Sequence, residues 1–386
     1  MKNIEELKEK LIAWRRDLHG IPEIGLHLPK TSGYIKKELE KMNVNYREYI
    51  NANAPVAFVG QGRTIAFRTD MDALPILEET GLSFSAQGLA MHACGHDGHM
   101  ALGLGLCAYF KSIEEQMDFR FVCIFQPGEE HPGGALPMIK EGVLSDFNIE
   151  AILGVHLGMI MNHKAGIASV KAGAIMAAAD RFSIRIKGSG AHGALPNLGN
   201  DTILIASLIV SQLQYLISRE LDPREPAVLS FGKISGGTSF NIMPGEVELE
   251  GTVRSLTEKS RKQIAGRIGE LASQIAKSYG AQAVIDYNFR YPVVKNDAAM
   301  TKVFLKEARE FLGPERVILL ESGTMVGEDM SYFLQEIPGV YFFFSTPKMV
   351  DGKCYPHHHP KFDLDEEYFV EATKLLAKNI VAFSRA

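Results

Sequence analysis

The chain has 386 residues, 46% of them hydrophobic, enough for a sizeable core and, on ordinary domain sizes, for two or three compact units. Its net charge of −5 at pH 7, with acidic and basic residues interspersed and no basic block, excludes a surface built for nucleic acid. Four cysteines without paired spacing exclude a disulfide framework and suit a reducing cytoplasm.

The amino-terminal stretch MKNIEELKEKLIAWRRDLHG alternates charged and apolar residues at helical spacing and lacks the uninterrupted apolar segment of a secretory signal. It predicts a surface helix, followed by a second amphipathic helix. Short apolar runs from Pro55 to Gly60, Thr64 to Asp70, Phe119 to Gln126 and Ala151 to His156 predict buried strands, with helical patterns from Met100 to Ile113 and Gly134 to Val143 between them. That alternation predicts an α/β domain with a largely parallel sheet. Ligands collect outside the carboxyl ends of such strands. Three polar signals stand there: RTDMD closes TIAFRTD, PGEEH follows FRFVCIFQ, and His156 ends AILGVH.

From about Asp180 the pattern changes. RFSIRIKGSG, AVLSFGKIS, EVELEGTVRS and AVIDYNFRY alternate as strands, with helices from Asp201 to Ser218 and Ser260 to Ser278, giving a ferredoxin-like β-α-β-β-α-β order. The apolar stretch TILIASLIVSQLQYLI within it is broken by Ser and Gln and falls short of the roughly 20 residues of a membrane span, so no membrane partner is expected. The α/β pattern resumes with a helix from Ala298 to Phe311, the run VYFFFS and a closing helix after Asp365. The small domain therefore reads as an insertion, residues 179–295, in a discontinuous domain of residues 1–178 and 296–386.

Four segments carry chemistry. In MHACGHDGHM, Cys94 and His96 are good ligands for zinc and its neighbours if both turn toward one ion; the alternative is a helix start with Asp97 or His96 near the cap. His92 and His99 read as supporting or packing residues. The adjacent carboxylates of Glu129 and Glu130 would repel unless a cation or proton intervenes, and one could ligate while its neighbour serves as general base. His156 stands at a strand end. In YPHHHPKFD, at most one or two of His357, His358 and His359 can face one site.

The combination RTDMDALP, MHACGHDGHM, QPGEE, GVH and HHPKFD, with GSGAHGALP, FNIMPGE, GTVRS and GEDMSYF, closely resembles the metal-dependent amidohydrolase and peptidase family of aminoacylase, hippurate hydrolase and the indole-acetyl-amino-acid hydrolases. The resemblance runs nearly end to end and in the family's order. It implies a di-metal catalytic domain with an inserted lid or dimerisation domain, and a homodimer or higher oligomer. Carried over by position, Cys94, His96, Glu130, His156 and His358 match the metal ligands and Glu129 the catalytic base. Asp72 takes the place of a ligand used elsewhere in the family and would here orient or support the site. His192 matches a histidine that polarises the scissile carbonyl across the dimer. Asn241 and Arg254 match the grip on the substrate's carboxylate, for which arginine's planar fork is suited. Glu328 and Asp329 read as structural.

The activity implied is hydrolysis of the amide bond of an N-acyl amino acid, using two divalent ions and Glu129 as general base. Zinc or manganese is expected, with cobalt or nickel as alternatives. Rival readings are a carboxypeptidase or dipeptidase acting on short peptides with the same residues, and a metal-binding protein without catalysis. Gly128 and His131, where the family more often has Ala and Gly, depart from the pattern beside the catalytic glutamate and bear on substrate choice.

Overall fold

The structure is a computed structural model that describes residues 2–350 and 352–386. It divides into two compact units, one formed by Met1–Gly173, Lys295–Ser322 and Asp329–Ala386, the other by Ala174–Val294 with Gly323–Glu328. The second unit thus takes in a short returning segment, Gly323–Glu328, that carries no strand or helix pattern in the sequence.

The first unit is built on eight strands: β1 (Asn45–Tyr49), β2 (Ala54–Gly60), β3 (Arg63–Asp70), β4 (Phe119–Gln126), β5 (Ile149–Gly158), β6 (Ala168–Val170), β7 (Val317–Leu319) and β8 (Gly339–Ser345). Their order in the sheet is β1-β2-β4-β3-β5-β8-β6-β7. The central four, β4-β3-β5-β8, run parallel, as their near-continuous apolar sequences require of strands covered on both faces. Phe67, Phe121, Leu153 and Phe342 on one face join Leu11, Leu104, Phe304 and Leu376 of the helices Lys8–His19, His96–Ser112, Ala298–Leu312 and Phe369–Ser384. Each such side chain contributes about 1.5–3 kcal/mol on burial. Because the four strands are parallel, the carboxyl ends of β3, β4 and β5 share one edge, with Asp70 opposite Gln126 in register.

Several elements differ from expectation. The helix anticipated from Met100 begins at His96, with Gly95 at its N-cap in a left-handed conformation (φ 87°) that glycine adopts without strain. The pattern from Gly134 to Val143 splits into the helices Ala135–Lys140 and Val143–Phe147, because Gly142 at φ 96° cannot continue the first. Strands β1, β6 and β7 were not legible. The first, NYREY, is largely polar, and the other two have three residues each.

In the second unit, strands Ala227–Gly236, Glu246–Ser255, Ala178–Lys187 and Gln282–Tyr291 form an antiparallel sheet in that order. Helices Thr202–Tyr215 and Glu258–Ser278 cover one face through Ile205, Ile209, Ile264 and Ile268, which meet Ile184 and Leu249. Asp201 caps the first helix by accepting from Leu204 N at 3.0 Å, and Thr257 caps the second by accepting from Ser260 N at 3.1 Å. The element order is the β-α-β-β-α-β read from the sequence. A π-helical turn, Leu216–Glu220, extends the first helix to a length and composition that would also suit a membrane span. Its residues Leu213 and Leu216 are spent instead on the core of the unit.

Candidate metal centre and active site

Cys94, His96, Glu130, His156 and His358 converge at the carboxyl edge of the parallel strands. Ligand atoms of Cys94, Glu130 and His358 lie within 4.8 Å of one another, as do those of His96, Glu129 and Glu130, and those of Cys94, His156 and His357. Cys94 Sγ is 3.5 Å from His156 Nε2, and His358 Nε2 is 3.1 Å from Glu130 Oε1. Cys94 lies in the turn before the helix and His96 in its first turn. Both alternatives for MHACGHDGHM are therefore realised together: it is a helix start and a cluster of donors.

The backbone decides which ring nitrogen each histidine offers. His96 Nδ1 stands 2.8 Å from the Asp72 carbonyl, which can only accept, so Nδ1 carries the proton and Nε2 keeps its lone pair. That Nε2 is buried without a hydrogen-bond partner; the nearest carboxylate oxygen, on Asp70, is 3.8 Å away. His156 is fixed in the same way, its Nδ1 donating to the Leu157 carbonyl at 2.8 Å. Two lone pairs thus point into a buried space beside a thiol and a carboxylate. An orphaned imidazole lone pair is costly unless something binds it, and a cation is the fitting occupant.

His99 and His357 are the same tautomer, but backbone amides take up their Nε2 lone pairs. His99 Nε2 accepts the Leu157 N–H at 2.8 Å and its Nδ1 donates to Asp70 Oδ1 at 2.6 Å. His357 Nε2 accepts the Met159 N–H at 3.0 Å. His359 turns elsewhere, its Nδ1 accepting the Lys361 N–H at 3.0 Å and its ring stacking on Tyr355. Of the three successive histidines, His358 alone stands against Glu130. The family resemblance selects His358 by its place two before Pro360 and leaves His357 without a role.

Asp72 is bonded to the loop that carries the two glutamates. Its Oδ1 accepts the Glu129 N–H at 2.8 Å and its Oδ2 the Glu130 N–H at 3.0 Å, clamping the loop that carries both glutamates. Beneath, Arg68 donates to Gln126, Asp70 and Asp329, while Asp329 also accepts from the amides of Gly134 and Ala135. This buried network ties β3, β4 and the helix start at Ala135 together and gives Asp329 its structural role.

The electrostatics call for positive charge. Burial, with Glu130 and Glu129 alongside, pushes the Cys94 thiol well above its ordinary value. Burial and Glu130 likewise raise Asp72. Burial and the neighbouring His357 and His99 hold His156 neutral, and burial with His99 and His358 lowers His357 to about 3. Glu130 moves the other way. Burial would raise it, but its bond to His358 lowers it, and the net shift is downward. A thiol and several carboxylates crowded out of water, ringed by neutral imidazoles, form a donor set that fits divalent ions of the zinc type.

His192, Asn241 and Arg254 belong to the second unit. His192 and Asn241 are brought together, Ile242 pairing with His192 in a two-residue ladder and Gly193 N donating to the Asn241 carbonyl at 2.8 Å. Arg254, on Glu246–Ser255, donates to Thr252 Oγ1 and the Val253 carbonyl but has no carboxylate partner among the described residues. Its guanidinium is therefore available to an outside anion.

Comparison with known proteins gives this arrangement a lineage. Residues 66–382 match the model of peptidase family M20/M25/M40. The chain belongs to that family. It is 38% identical to an N-acetyldiaminopimelate deacetylase of Bacillus cytotoxicus over 373 residues, 95% of this chain and 96% of the relative. Among solved structures, one from methicillin-resistant Staphylococcus aureus is 33% identical with a TM-score of 0.91, covering 99% of this chain and 98% of its own. The YxeP protein of Bacillus subtilis, a dinuclear metal binding peptidase from the M20 family, is 32% identical with a TM-score of 0.84 and covers 99% of each chain.

Proposed function

We propose that this family M20 protein hydrolyses the amide bond of N-acyl amino acids, with an N-acetylated diamino dicarboxylate of the diaminopimelate type as its substrate. The observation that carries the reading is the convergence of tautomer-fixed His96 and His156 on Cys94 and Glu130, beside a glutamate whose backbone Asp72 clamps. The substrate class comes from the deacetylase relative, which aligns over nearly its whole length. The dinuclear relative supports two ions per subunit.

Cys94, His96, Glu130, His156 and His358 would hold the two divalent cations, whose chemistry is to polarise the acyl carbonyl and bring the pKa of the attacking water toward neutrality. Glu129 takes the proton from that water as it adds to the carbonyl carbon. It returns the proton to the nitrogen as the C–N bond breaks, without which an amide nitrogen leaves poorly. His192 donates to the carbonyl oxygen as negative charge builds there. Arg254 and Asn241 hold the carboxylate of the amino acid product, the arginine through a planar fork that has no carboxylate partner among the described residues. Zinc suits the thiolate; manganese, cobalt and nickel are the alternatives.

The second unit is the proposed dimer contact. Its edge strand Ala227–Gly236 has one side of its backbone without a strand partner among the described residues, and Ile203, Leu204, Ile234 and Phe240 of this unit are exposed. A cytoplasmic location accords with four free cysteines.

The test is metal analysis of the purified protein followed by assay of N-acetyldiaminopimelate, N-acetyl and N-benzoyl amino acids and free dipeptides. Release of the amine from N-acetyldiaminopimelate with dipeptides untouched is expected. Turnover confined to dipeptides would replace the deacylase reading with a peptidase one.

A further inference from the structure

His357 has no part in the reaction as described, yet its setting is among the most constrained in the site. Its Nε2 accepts the Met159 N–H at 3.0 Å, a bond that needs a lone pair on Nε2 and leaves the ring proton on Nδ1. That Nδ1 lies 3.8 Å from Cys94 Sγ, within reach of an N–H···S hydrogen bond. The ring meets His156 edge-on, with centroids 4.8 Å apart and planes at 84°, and lies 4.6 Å from Phe362. Gly158 makes the space: a Cβ there would fall 2.5 Å from His357 Cε1 and 2.6 Å from Nε2. Packing and one backbone bond thus aim a single hydrogen at Cys94, toward its sulfur and its carbonyl.

We propose that His357 is a positioning residue for Cys94, donating its Nδ1 hydrogen to the thiolate sulfur instead of ligating a metal. The inference rests on the metal reading of the site and adds to it. An N–H donor withdraws charge from a thiolate and fixes the direction of its remaining lone pairs, so the bound cation keeps more of its Lewis acidity than an unmodified thiolate would leave it. The proposal also separates the roles of adjacent histidines: His358 ligates, and His357 tunes the ligand across from it.

Two measurements test this. Long-range proton–nitrogen correlation spectra of the wild-type protein, metal-free and cadmium-loaded, should show His357 as the Nδ1–H tautomer in both states. An Nε2–H tautomer, or loss of the Nδ1 proton on loading, would overturn the proposal. In cobalt-substituted protein, the thiolate-to-cobalt charge-transfer band should move to longer wavelength in His357→Phe and stay near the wild-type position in His357→Asn, which keeps an N–H donor, with the cobalt-to-protein ratio unchanged in both. An unmoved band in a fully loaded His357→Phe protein, or loss of one cobalt equivalent, defeats the inference while the metal site stands. Wild-type protein that takes up no cobalt or cadmium would defeat the metal reading itself, and the role of His357 with it.

Discussion

The carboxylate of Asp72 accepts the backbone N–H of Glu129 at 2.8 Å and, through its other oxygen, that of Glu130 at 3.0 Å. The orientation of the proposed base therefore depends on a residue far away in sequence. Asp72→Asn would turn an NH2 group toward one of these amides, removing one bond and opposing two donors. The cost of an unsatisfied buried donor is about 1–3 kcal/mol, so denaturant unfolding should register a loss of that size. Turnover should fall by on the order of tenfold to a hundredfold at unchanged metal content, because a small misplacement of a catalytic group has that effect.

Glu129→Gln keeps the shape of the side chain but cannot take a proton. Metal stoichiometry should match the wild type while kcat drops by roughly 10²–10⁴, the usual worth of a positioned general base. Cys94→Ala should instead lose metal and activity together. Full metal occupancy in Cys94→Ala, measured by elemental analysis, would remove the cysteine from the ligand set.

Gly128 precedes the base at φ 73°, and a Cβ there would sit 2.6 Å from Leu26 Cδ2. In Gly128→Ala the leucine can swing aside, but the left-handed backbone costs about 1–2 kcal/mol for an L side chain. A lower thermal midpoint and reduced kcat are expected together, since the strain lies one residue from Glu129. An alanine variant as stable and active as the wild type would mean the loop tolerates another backbone path.

Arg254→Lys replaces a planar fork with a point charge. The expected result is a KM for N-acyl amino acids raised by roughly tenfold, about 1.4 kcal/mol of lost binding, with kcat changed less. Equal KM values for the two proteins, in steady-state kinetics, would move the carboxylate grip elsewhere.

His19 provides a pH-dependent contribution to stability. Its Nδ1 stands 2.8 Å from Asp97 Oδ2 and its Nε2 3.2 Å from Glu78 Oε1, both ring nitrogens facing carboxylates. Burial lowers the pKa of His19, but the bonds to Asp97 and Glu78 raise it by more. A group whose folded pKa is raised stabilises the fold fully below its unfolded value, about 6.5, and loses that contribution as pH climbs through the folded value. The stability gap between wild type and His19→Gln should therefore be widest near pH 5.5 and narrow above pH 7. A gap independent of pH, measured by urea unfolding, would mean that His19 is neutral in the folded protein.

Much of this protein was legible before folding. Runs such as TIAFRTD and FRFVCIFQ are apolar on both faces because parallel central strands are covered twice, so they announce the sheet and its polar ends without knowledge of contacts. The two-residue alternation of RFSIRIKGSG and EVELEGTVRS marks a half-covered antiparallel sheet for the same reason, and the β-α-β-β-α-β order follows. Glu129, Glu130 and His156 stand out as candidates by their places at strand ends, and Cys94 and His96 by their donor chemistry within MHACGHDGHM.

Tertiary structure decided what each of those groups does. In PHHHP the resemblance singles out His358 by position, but the partner of each ring nitrogen appears only in the fold: Glu130 for His358, the Met159 amide and Cys94 for His357, and the Lys361 amide for His359. Asp70 and Asp72 are two residues apart and look interchangeable, yet one holds His99 and the other the Glu129 loop. Periodicity records which face of a strand or helix is buried, a local property of the chain. The tautomer of a histidine and the aim of a carboxylate are fixed by donors and acceptors that lie as far as 263 positions away, and those meet only when the sheet has brought its strand ends to one edge.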